Sequence, residues 1–181
     1  MTGMTPWFLS KFLEEHKDFK NILEVWALDV SGGYDLKSYV EKAWPDADYL
    51  QTDMRDGSNI DVVVNAHNLL EHFGPEKFDL VFSFDMFEHD DQFWVSWENM
   101  KAVCKKGGYL ILMAPSRHTP LHEHPSDYWR FMKPAFENIF FKDLEDVYIH
   151  VFYPPETPNS EEENSIAGWG RKIWLRQPLF L

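Results

Sequence analysis

The sequence predicts an α/β fold in which helices cover a mainly parallel sheet. Short apolar runs, which are typical of buried strands, alternate along the chain with segments of helical periodicity. Such alternation requires crossover connections, and these place the helices on the faces of a parallel sheet. With 181 residues, of which 44% are hydrophobic, the chain has the size and apolar content of one domain, so we interpret residues 1–181 as a single unit.

The first elements are a covering helix and two strands. Within the N-terminal segment 1–20, apolar residues near helical spacing predict an amphipathic helix over residues 6–17. An apolar run predicts a first strand over 22–28, which ends in a glycine turn. A helix over 34–43 and a second strand over 49–53 complete this part of the chain.

The central elements are two strands and two helical segments. A third strand is predicted over 60–64, followed by one or two helical turns over 68–73. The density of Phe, Leu and Val over 78–84 predicts a fourth strand that is buried on both faces. A helix over 93–104 follows, and Gly107-Gly108 is expected to terminate it.

The last elements are three strands, a helix and a loop. Strands are predicted over 109–113, 144–153 and 168–175, and a helix with proline in its first turn over 134–141. The segment 154–164, with three prolines and three consecutive glutamates, predicts a solvated acidic loop.

Charge and composition exclude several classes of partner. The chain has 17 Lys and Arg against 30 Asp and Glu, a formal net charge of -13 that repels nucleic acid and anionic membranes. No apolar stretch approaches the roughly 20 residues of a membrane span. The single cysteine, Cys104, excludes an intrachain disulfide and fits a reducing compartment. We therefore expect a cytoplasmic protein that binds neither nucleic acid nor membrane.

An acid at the end of the second strand indicates a nucleoside site. Asp53 lies after this strand at the distance from the first strand at which ribose-binding acids occur, although loop capping is the commoner role for such an aspartate. The turn after the first strand lacks the Gly-x-Gly-x-x-Gly pattern of pyrophosphate-binding enzymes. A cofactor without phosphates is therefore favoured, and a nicotinamide oxidoreductase is the weaker alternative.

Five motifs in order between about residues 20 and 115 resemble the motif series of class I S-adenosylmethionine-dependent methyltransferases. They are Ile22-Leu23-Glu24-Val25, Asp53, Asn65-Ala66-His67, the strand over 78–83 with Asp85-Met86-Phe87-Glu88-His89, and Lys106-Gly107-Gly108-Tyr109-Leu110-Ile111. The resemblance implies a three-layer Rossmann-like sandwich with a seven-stranded sheet whose last strand is antiparallel. It also implies S-adenosylmethionine as the cofactor and methyl transfer to a small-molecule acceptor.

The resemblance further implies which residues contact the cofactor. Glu24 would anchor the loop and the methionine end, and Asp53 would hold the ribose. Asn65, where this family often has aspartate, would meet the adenine together with the two residues that follow it. Ser83 and Asp85 would lie near the sulfonium. The full set that the resemblance implies is Glu24, Trp26, Asp53, Met54, Asn65, Ala66, His67, Ser83 and Asp85.

Trp26 departs from the family pattern, which has glycine there so that the backbone can pass close beneath the cofactor. Its indole would fill the methionine pocket, and Gln51 also replaces a small residue near Asp53. We therefore expect weakened cofactor binding, and tighter binding after Trp26→Gly. Two alternatives stay open: the indole turns into the core, or the chain is an altered variant that acts as a binding or scaffold protein.

The segment 118–131 resembles the His-Asp-Tyr-Trp-Arg stretch of one small-molecule methyltransferase subgroup, which lines the acceptor side. Methyl transfer is an in-line displacement that depends mainly on positioning, and a base is needed only when the acceptor holds its proton. The candidates for catalysis are His89, His122 and His124, with Asp127 as an orienting residue. Asp127 could instead begin a helix and pair with Arg130.

A metal site and a dimer surface are weaker predictions. His122-Glu123-His124 with His89 or His118 suggests metal ligands, but the spacing matches no strict zinc pattern, so we expect no bound metal. Several tryptophans leave a homodimer possible, although most such residues belong to a core. These are Trp94, Trp97, Trp169 and Trp174.

Overall fold

The computed structural model describes residues 4–28, 36–122, 126–153 and 163–173. The strands in these ranges are β1 (Asn21–Val25), β2 (Asp48–Asp53), β3 (Val62–Val63), β4 (Phe78–Phe84), β5 (Cys104–Pro115), β6 (Leu144–Phe152) and β7 (Ser165–Lys172). The helices are α1 (Met4–Glu15), α2 (Leu36–Ala43), α3 (Leu69–Phe73), α4 (Phe93–Val103) and α5 (Lys133–Ala135), which continues as a π-helical turn over Phe136–Phe140.

The seven strands form one sheet in the order β3-β2-β1-β4-β5-β7-β6. Strands β1 to β5 pair in parallel, whereas β7 runs antiparallel to both β5 and β6. The chain leaves β1 toward β2 and β3 and later returns on its other side as β4, so the strand order reverses between β1 and β4. Such a reversal opens a crevice outside the carboxyl ends of the two strands. The predicted Rossmann-like sheet with its antiparallel last strand is confirmed.

Two apolar layers cover the sheet, because successive side chains of each buried strand point to opposite faces. On one face, Leu23 of β1 and Val81 of β4 belong to a cluster with α3, α4 and the π-helical turn. On the other face, the neighbouring residues Ile22 and Leu80 belong to a cluster with α1 and α2. The predicted covering role of the N-terminal helix is confirmed, since Phe8 and Phe12 of α1 are fully buried in this second layer. No helix among the described residues is long and apolar enough to cross a membrane.

Two boundaries differ from the prediction near β5. The helix ends at Val103 and β5 begins at once, so Gly107-Gly108 lies within the strand and does not terminate the helix. The pairing of β4 with β5 shifts register there, and Gly107 has φ 81°. A Cβ on Gly108 would lie 2.7 Å from the Asp79 carbonyl oxygen, which explains the glycine by close approach of two backbones.

Strands β3 and β7 also differ in their bounds from the prediction. β3 has only two residues, Val62 and Val63. Before them, the Asp61 N–H donates to the Gln51 carbonyl at 2.9 Å, but the Gln51 N–H donates to the Asp61 side-chain carboxylate, at 2.8 Å, and not to a backbone carbonyl of a longer strand. β7 begins at Ser165, three residues earlier than predicted. Residues 174–175 of the predicted seventh strand and residues 154–162 of the predicted loop lie outside the described ranges.

Candidate active site

The carboxyl ends of β1, β2 and β4 form one connected edge. After β1, the backbone N–H groups of Trp26 and Ala27 both donate to the Thr52 carbonyl of β2, at 2.8 and 2.9 Å. On the other side of β1, the Ser83 hydroxyl of β4 donates to the Val25 carbonyl at 2.8 Å. The structure therefore brings the residues that follow these three strands together, as the order of the motifs requires.

Asp53 is buried at this edge, with 1% of its surface exposed. One carboxylate oxygen accepts from the Leu28 backbone N–H at 3.2 Å, and the other accepts from the Arg55 backbone N–H at 2.9 Å. The loop-capping role is therefore present. A carboxylate has about four lone-pair sites, so these two hydrogen bonds leave acceptor capacity for other donors.

Glu24 faces the interior between β1 and β2. One carboxylate oxygen accepts hydrogen bonds from the Tyr49 hydroxyl and from the Gln51 amide, the latter at 3.0 Å. Burial disfavours the charged form and raises the pKa of Glu24 to about 7, although these hydrogen bonds oppose the shift. The Gln51 side chain is 3% exposed and turns toward Glu24 on the interior of the sheet.

Trp26 occupies the left-handed region of backbone conformation, with φ 70°. This conformation favours glycine, which gives a physical reason for the glycine of the family pattern. The indole is half-buried and stacks on the His89 ring, with centroids 6.1 Å apart and an angle of 18° between planes. On the indole, the Arg55 guanidinium carbon lies 5.3 Å from the ring centroid. We call Arg55, Trp26 and His89 the Trp26 stack.

The Trp26 stack crosses the edge from one side to the other. Arg55 follows β2, Trp26 follows β1, and His89 follows β4. Arg55 also lies beside Asp53, with its Nε 3.5 Å from the carboxylate. The indole contacts the apolar core and also lies across the edge. Its position is therefore intermediate between the two expectations, one in which it fills the methionine pocket and one in which it turns into the core.

The turn after β3 is held by polar contacts. The Asn65 side-chain oxygen accepts from the His67 backbone N–H at 2.8 Å and caps the short 3-10 turn that begins at Ala66. The His67 Nε2 lies 2.9 Å from a carboxylate oxygen of Asp90, which ties this turn to the loop after β4. Met54, next to Asp53, is 51% exposed.

Three side chains after β4 and β5 converge, and we call Glu88, His89 and His122 the Glu88 cluster. Glu88 is fully buried, and neither of its carboxylate oxygens has a hydrogen-bond partner among the described residues. Its Oε1 lies 3.6 Å from the His89 Nε2 and 3.5 Å from the His122 Nε2. The Glu88 carboxylate, first as an acceptor facing this Nε2 and then as a negative charge, raises the pKa of His122 to about 9, although partial burial opposes the shift.

Asp85 is a second unusual acid beside this cluster. It follows β4 with φ 52°, and its Oδ2 is buried without a hydrogen-bond partner in the described part of the chain. Burial, and then the like charge of Glu88, raise the pKa of Asp85 to about 8.

Asp127 holds the segment of His122 in place. One of its carboxylate oxygens accepts from the His122 backbone N–H at 2.8 Å, and Arg130 donates to both oxygens. The Arg130 guanidinium lowers the pKa of Asp127 to about 2, so this carboxylate suits a positioning role better than proton transfer. The predicted Arg130 pair is present, whereas no helix begins at Asp127. His124 lies outside the described residues.

Sequence reasoning missed two contributors to this site. Glu88 directly precedes His89 in a quoted motif, and an acid beside the apolar pair Met86-Phe87 is a signal for a buried carboxylate. Arg55 carried no comparable signal, because its contact with Trp26 depends on how two loops meet.

Comparisons with known proteins agree with this architecture. The model of the family described as "Methyltransferase domain" matches residues 11–112. A SAM-dependent methyltransferase from Archaeoglobus fulgidus has a similar structure, with TM-score 0.72, 12% identity and 93% of each chain covered. The N-methyltransferase NodS from Bradyrhizobium japonicum gives TM-score 0.64 at 16% identity, covering 93% of this chain and 94% of NodS.

A third similar structure contains ligands. It is the 1,6-didemethyltoxoflavin-N1-methyltransferase of Burkholderia thailandensis with bound 1,6-didemethyltoxoflavin and S-adenosylhomocysteine. Its TM-score is 0.68 at 13% identity, and the match covers 93% of this chain and 76% of that one. No curated protein sequence matches this chain well enough to count as a relative.

The family match covers more than half of the chain, and the protein therefore belongs to the methyltransferase domain family. The predicted class, an S-adenosylmethionine-dependent methyltransferase of class I, is confirmed together with its cofactor.

Proposed function

We propose that the protein transfers the methyl group of S-adenosylmethionine to a small-molecule acceptor, at the carboxyl edge of β1, β2 and β4. The observation that carries this proposal is the buried Asp53, which lies at this edge and still has acceptor capacity. The cofactor supplies an electrophilic methyl group on a sulfonium. The similar structure with bound 1,6-didemethyltoxoflavin supports this class of substrate.

Each side chain at the edge has a proposed task. Asp53 accepts from the ribose hydroxyls, and Met54 covers the adenosine from the solvent side. The turn formed by Asn65, Ala66 and His67 meets the adenine. Glu24 supports the loop after β1 from the interior, where it already binds β2.

The sulfonium and acceptor side lies at the end of β4. Ser83 fixes β4 to β1 there, and Asp85 follows directly with an unpartnered oxygen among the described residues. His122, whose side chain is 46% exposed, is the member of the Glu88 cluster placed to contact an acceptor. Asp127 positions His122 through its backbone N–H, and His124 stays a candidate on the same segment.

Binding of the cofactor requires the Trp26 stack to open. The indole crosses the edge between Asp53 and the end of β4, where the methionine half of the cofactor would extend. The stack also favours a second candidate function, a methyltransferase-fold protein that binds a ligand or partner without turnover. We also propose a cytoplasmic location and a homodimer; both follow from the sequence, and no structural observation adds to them.

Replacing Asp53 with asparagine tests the proposed cofactor site. We expect S-adenosylhomocysteine to bind at least roughly tenfold more weakly to Asp53→Asn, because hydrogen bonds to a carboxylate contribute about 1.5–3 kcal/mol and each 1.4 kcal/mol is a factor of about ten. Isothermal titration calorimetry measures the change. The matched control is Asp56→Asn, which makes the same charge change at an exposed position three residues away.

The control variant should bind like the wild type. Equal affinities for wild type and a folded Asp53→Asn variant would contradict the proposed ribose contact. Absence of binding in both the wild type and Trp26→Gly would favour the second candidate function.

A further inference from the structure

The Glu88 cluster combines one carboxylate and two imidazoles from distant parts of the sequence. The ligand atoms that Glu88, His89 and His122 can offer all lie within 4.8 Å of one another. Glu88 and His89 follow β4, whereas His122 comes from the segment after β5. The expectation of no metal rested on the spacing of His122-Glu123-His124. That spacing could not predict that His122 meets Glu88 and His89, because these residues are distant in the sequence.

The distances in the cluster suit a shared cation better than shared protons. Glu88 Oε1 lies 3.6 and 3.5 Å from the two Nε2 atoms, which is longer than the usual N–H···O distance of about 2.7–3.2 Å. Two ligand atoms about 2.1 Å from one tetrahedral ion lie roughly 3.4 Å apart. The carboxylate and the imidazoles therefore already have the separation that a common ion requires.

Both imidazoles are oriented with Nε2 toward Glu88. The Nδ1 of His89 lies 2.6 Å from the Ser126 carbonyl oxygen, and the Nδ1 of His122 lies 3.2 Å from the Pro120 carbonyl oxygen. A carbonyl oxygen only accepts, so each Nδ1 carries the proton and donates it. In a neutral ring Nε2 then offers its lone pair, which is the arrangement that backbone carbonyls impose on metal-binding histidines. A proton on the His122 Nε2 is released when the metal binds.

Glu88 supplies the independent indication that a positive ligand belongs there. Its carboxylate is fully buried and has no hydrogen-bond partner within the described ranges, and the groups beside it that can carry a positive charge are the two imidazoles, at 3.5 and 3.6 Å. A buried charge without hydrogen bonds is costly. Asp85 adds a second buried oxygen without a partner in the same part of the structure. A divalent cation would compensate the buried charge of Glu88.

We propose that Glu88, His89 and His122 form a binding site for one divalent first-row transition-metal ion of the zinc class. Two imidazoles with one carboxylate select such ions over Mg²⁺ and Ca²⁺, which prefer oxygen ligands alone. His122 is partly exposed, so the fourth position is open toward solvent. If the proposed methyl transfer is correct, this position is the place for an oxygen or nitrogen of the acceptor.

Zinc titration of the chelator-treated full chain tests the site without any methyl donor. We expect isothermal titration calorimetry to show one high-affinity Zn²⁺ per chain, which Mg²⁺ does not displace, and Co²⁺ to give visible absorption bands of low-coordinate imidazole ligation. His122→Ala should weaken Zn²⁺ binding at least roughly 100-fold, since even altered partners of ligands cost 10- to 100-fold. His118→Ala, an exposed histidine of the same segment, is the matched control and should bind like the wild type.

Glu88→Gln gives a second test that removes the charge and keeps the size of the side chain. His122 is partly exposed, so its variant decides the question if Glu88→Gln does not fold. Absence of stoichiometric Zn²⁺ binding to the wild type would overturn the proposal, as would equal affinities of the wild type and His122→Ala. Because no cofactor is present, failure of the metal site is distinguished from failure of the proposed methyl transfer.

Discussion

Replacing Trp26 with glycine is expected to raise the affinity for S-adenosylhomocysteine by roughly 5- to 70-fold. The indole must leave the Trp26 stack before the ligand can occupy the edge, and this breaks its contacts with His89 and Arg55. A ring contact and a cation–π contact of this kind are together worth about 1–2.5 kcal/mol. The Trp26→Gly variant has no such contacts to break, so ligand binding no longer loses the free energy of these contacts. Isothermal titration calorimetry of the two proteins measures the difference.

Trp26→Ala separates the indole from the backbone conformation. Glycine both removes the ring and relieves the positive φ of 70°, whereas alanine removes the ring and keeps that strain. If the ring blocks the edge, both variants bind more tightly than the wild type. Trp94→Ala removes an indole that is half exposed on α4, and its affinity should not change. Wild-type affinity in both Trp26 variants would show that the indole does not compete with the ligand.

Replacing Glu24 with glutamine is expected to stabilise the fold above pH 7 by up to roughly 3 kcal/mol. The pKa of Glu24 rises from 4.5 to about 7 on folding, so between these values the folded protein keeps a proton that the unfolded chain has released. The free energy of unfolding therefore falls as pH rises from about 4.5 to 7, and it stays reduced above. A glutamine has no such titration.

The variant also has a partner for its new amide. Gln51 Oε1 is buried without a hydrogen-bond partner among the described residues, and it can accept from the amide after rotation of the Gln51 side chain. Denaturant unfolding at pH 5 and pH 8 should show a smaller loss of stability in Glu24→Gln than in the wild type. Glu41→Gln, an exposed substitution on α2, should keep the wild-type loss. An unchanged loss in Glu24→Gln would contradict the raised pKa.

The sheet could be predicted from the sequence because its buried strands carry strong local patterns. β4 was predicted at its observed bounds from its dense Phe, Leu and Val residues, and Asp53 from its position after β2. β5 was predicted too short because Gly107-Gly108 has the composition of a helix end, although a register shift and a close backbone contact explain these glycines. A glycine pair at a helix end and a glycine pair inside a strand look the same in the sequence, and only the contact with the neighbouring strand distinguishes the two.

The candidate site was less predictable because its decisive contacts join distant segments. The unusual residue Trp26 could be recognised against a family pattern, but its stacking on His89 and Arg55 depends on three loops meeting. The same holds for Glu88, whose approach to His122 depends on how the segment after β5 meets the loop after β4. Sequence motifs located the edge, whereas tertiary structure determines which side chains cross it.

A crystal structure of the protein with S-adenosylhomocysteine tests most directly the claim that Asp53 and the end of β1 form the cofactor site. We expect the ribose hydroxyls within hydrogen-bonding distance of the Asp53 carboxylate and the Trp26 indole displaced from the His89 ring. A ligand bound away from the carboxyl ends of β1 and β2, with the Trp26 stack unchanged, would contradict the claim.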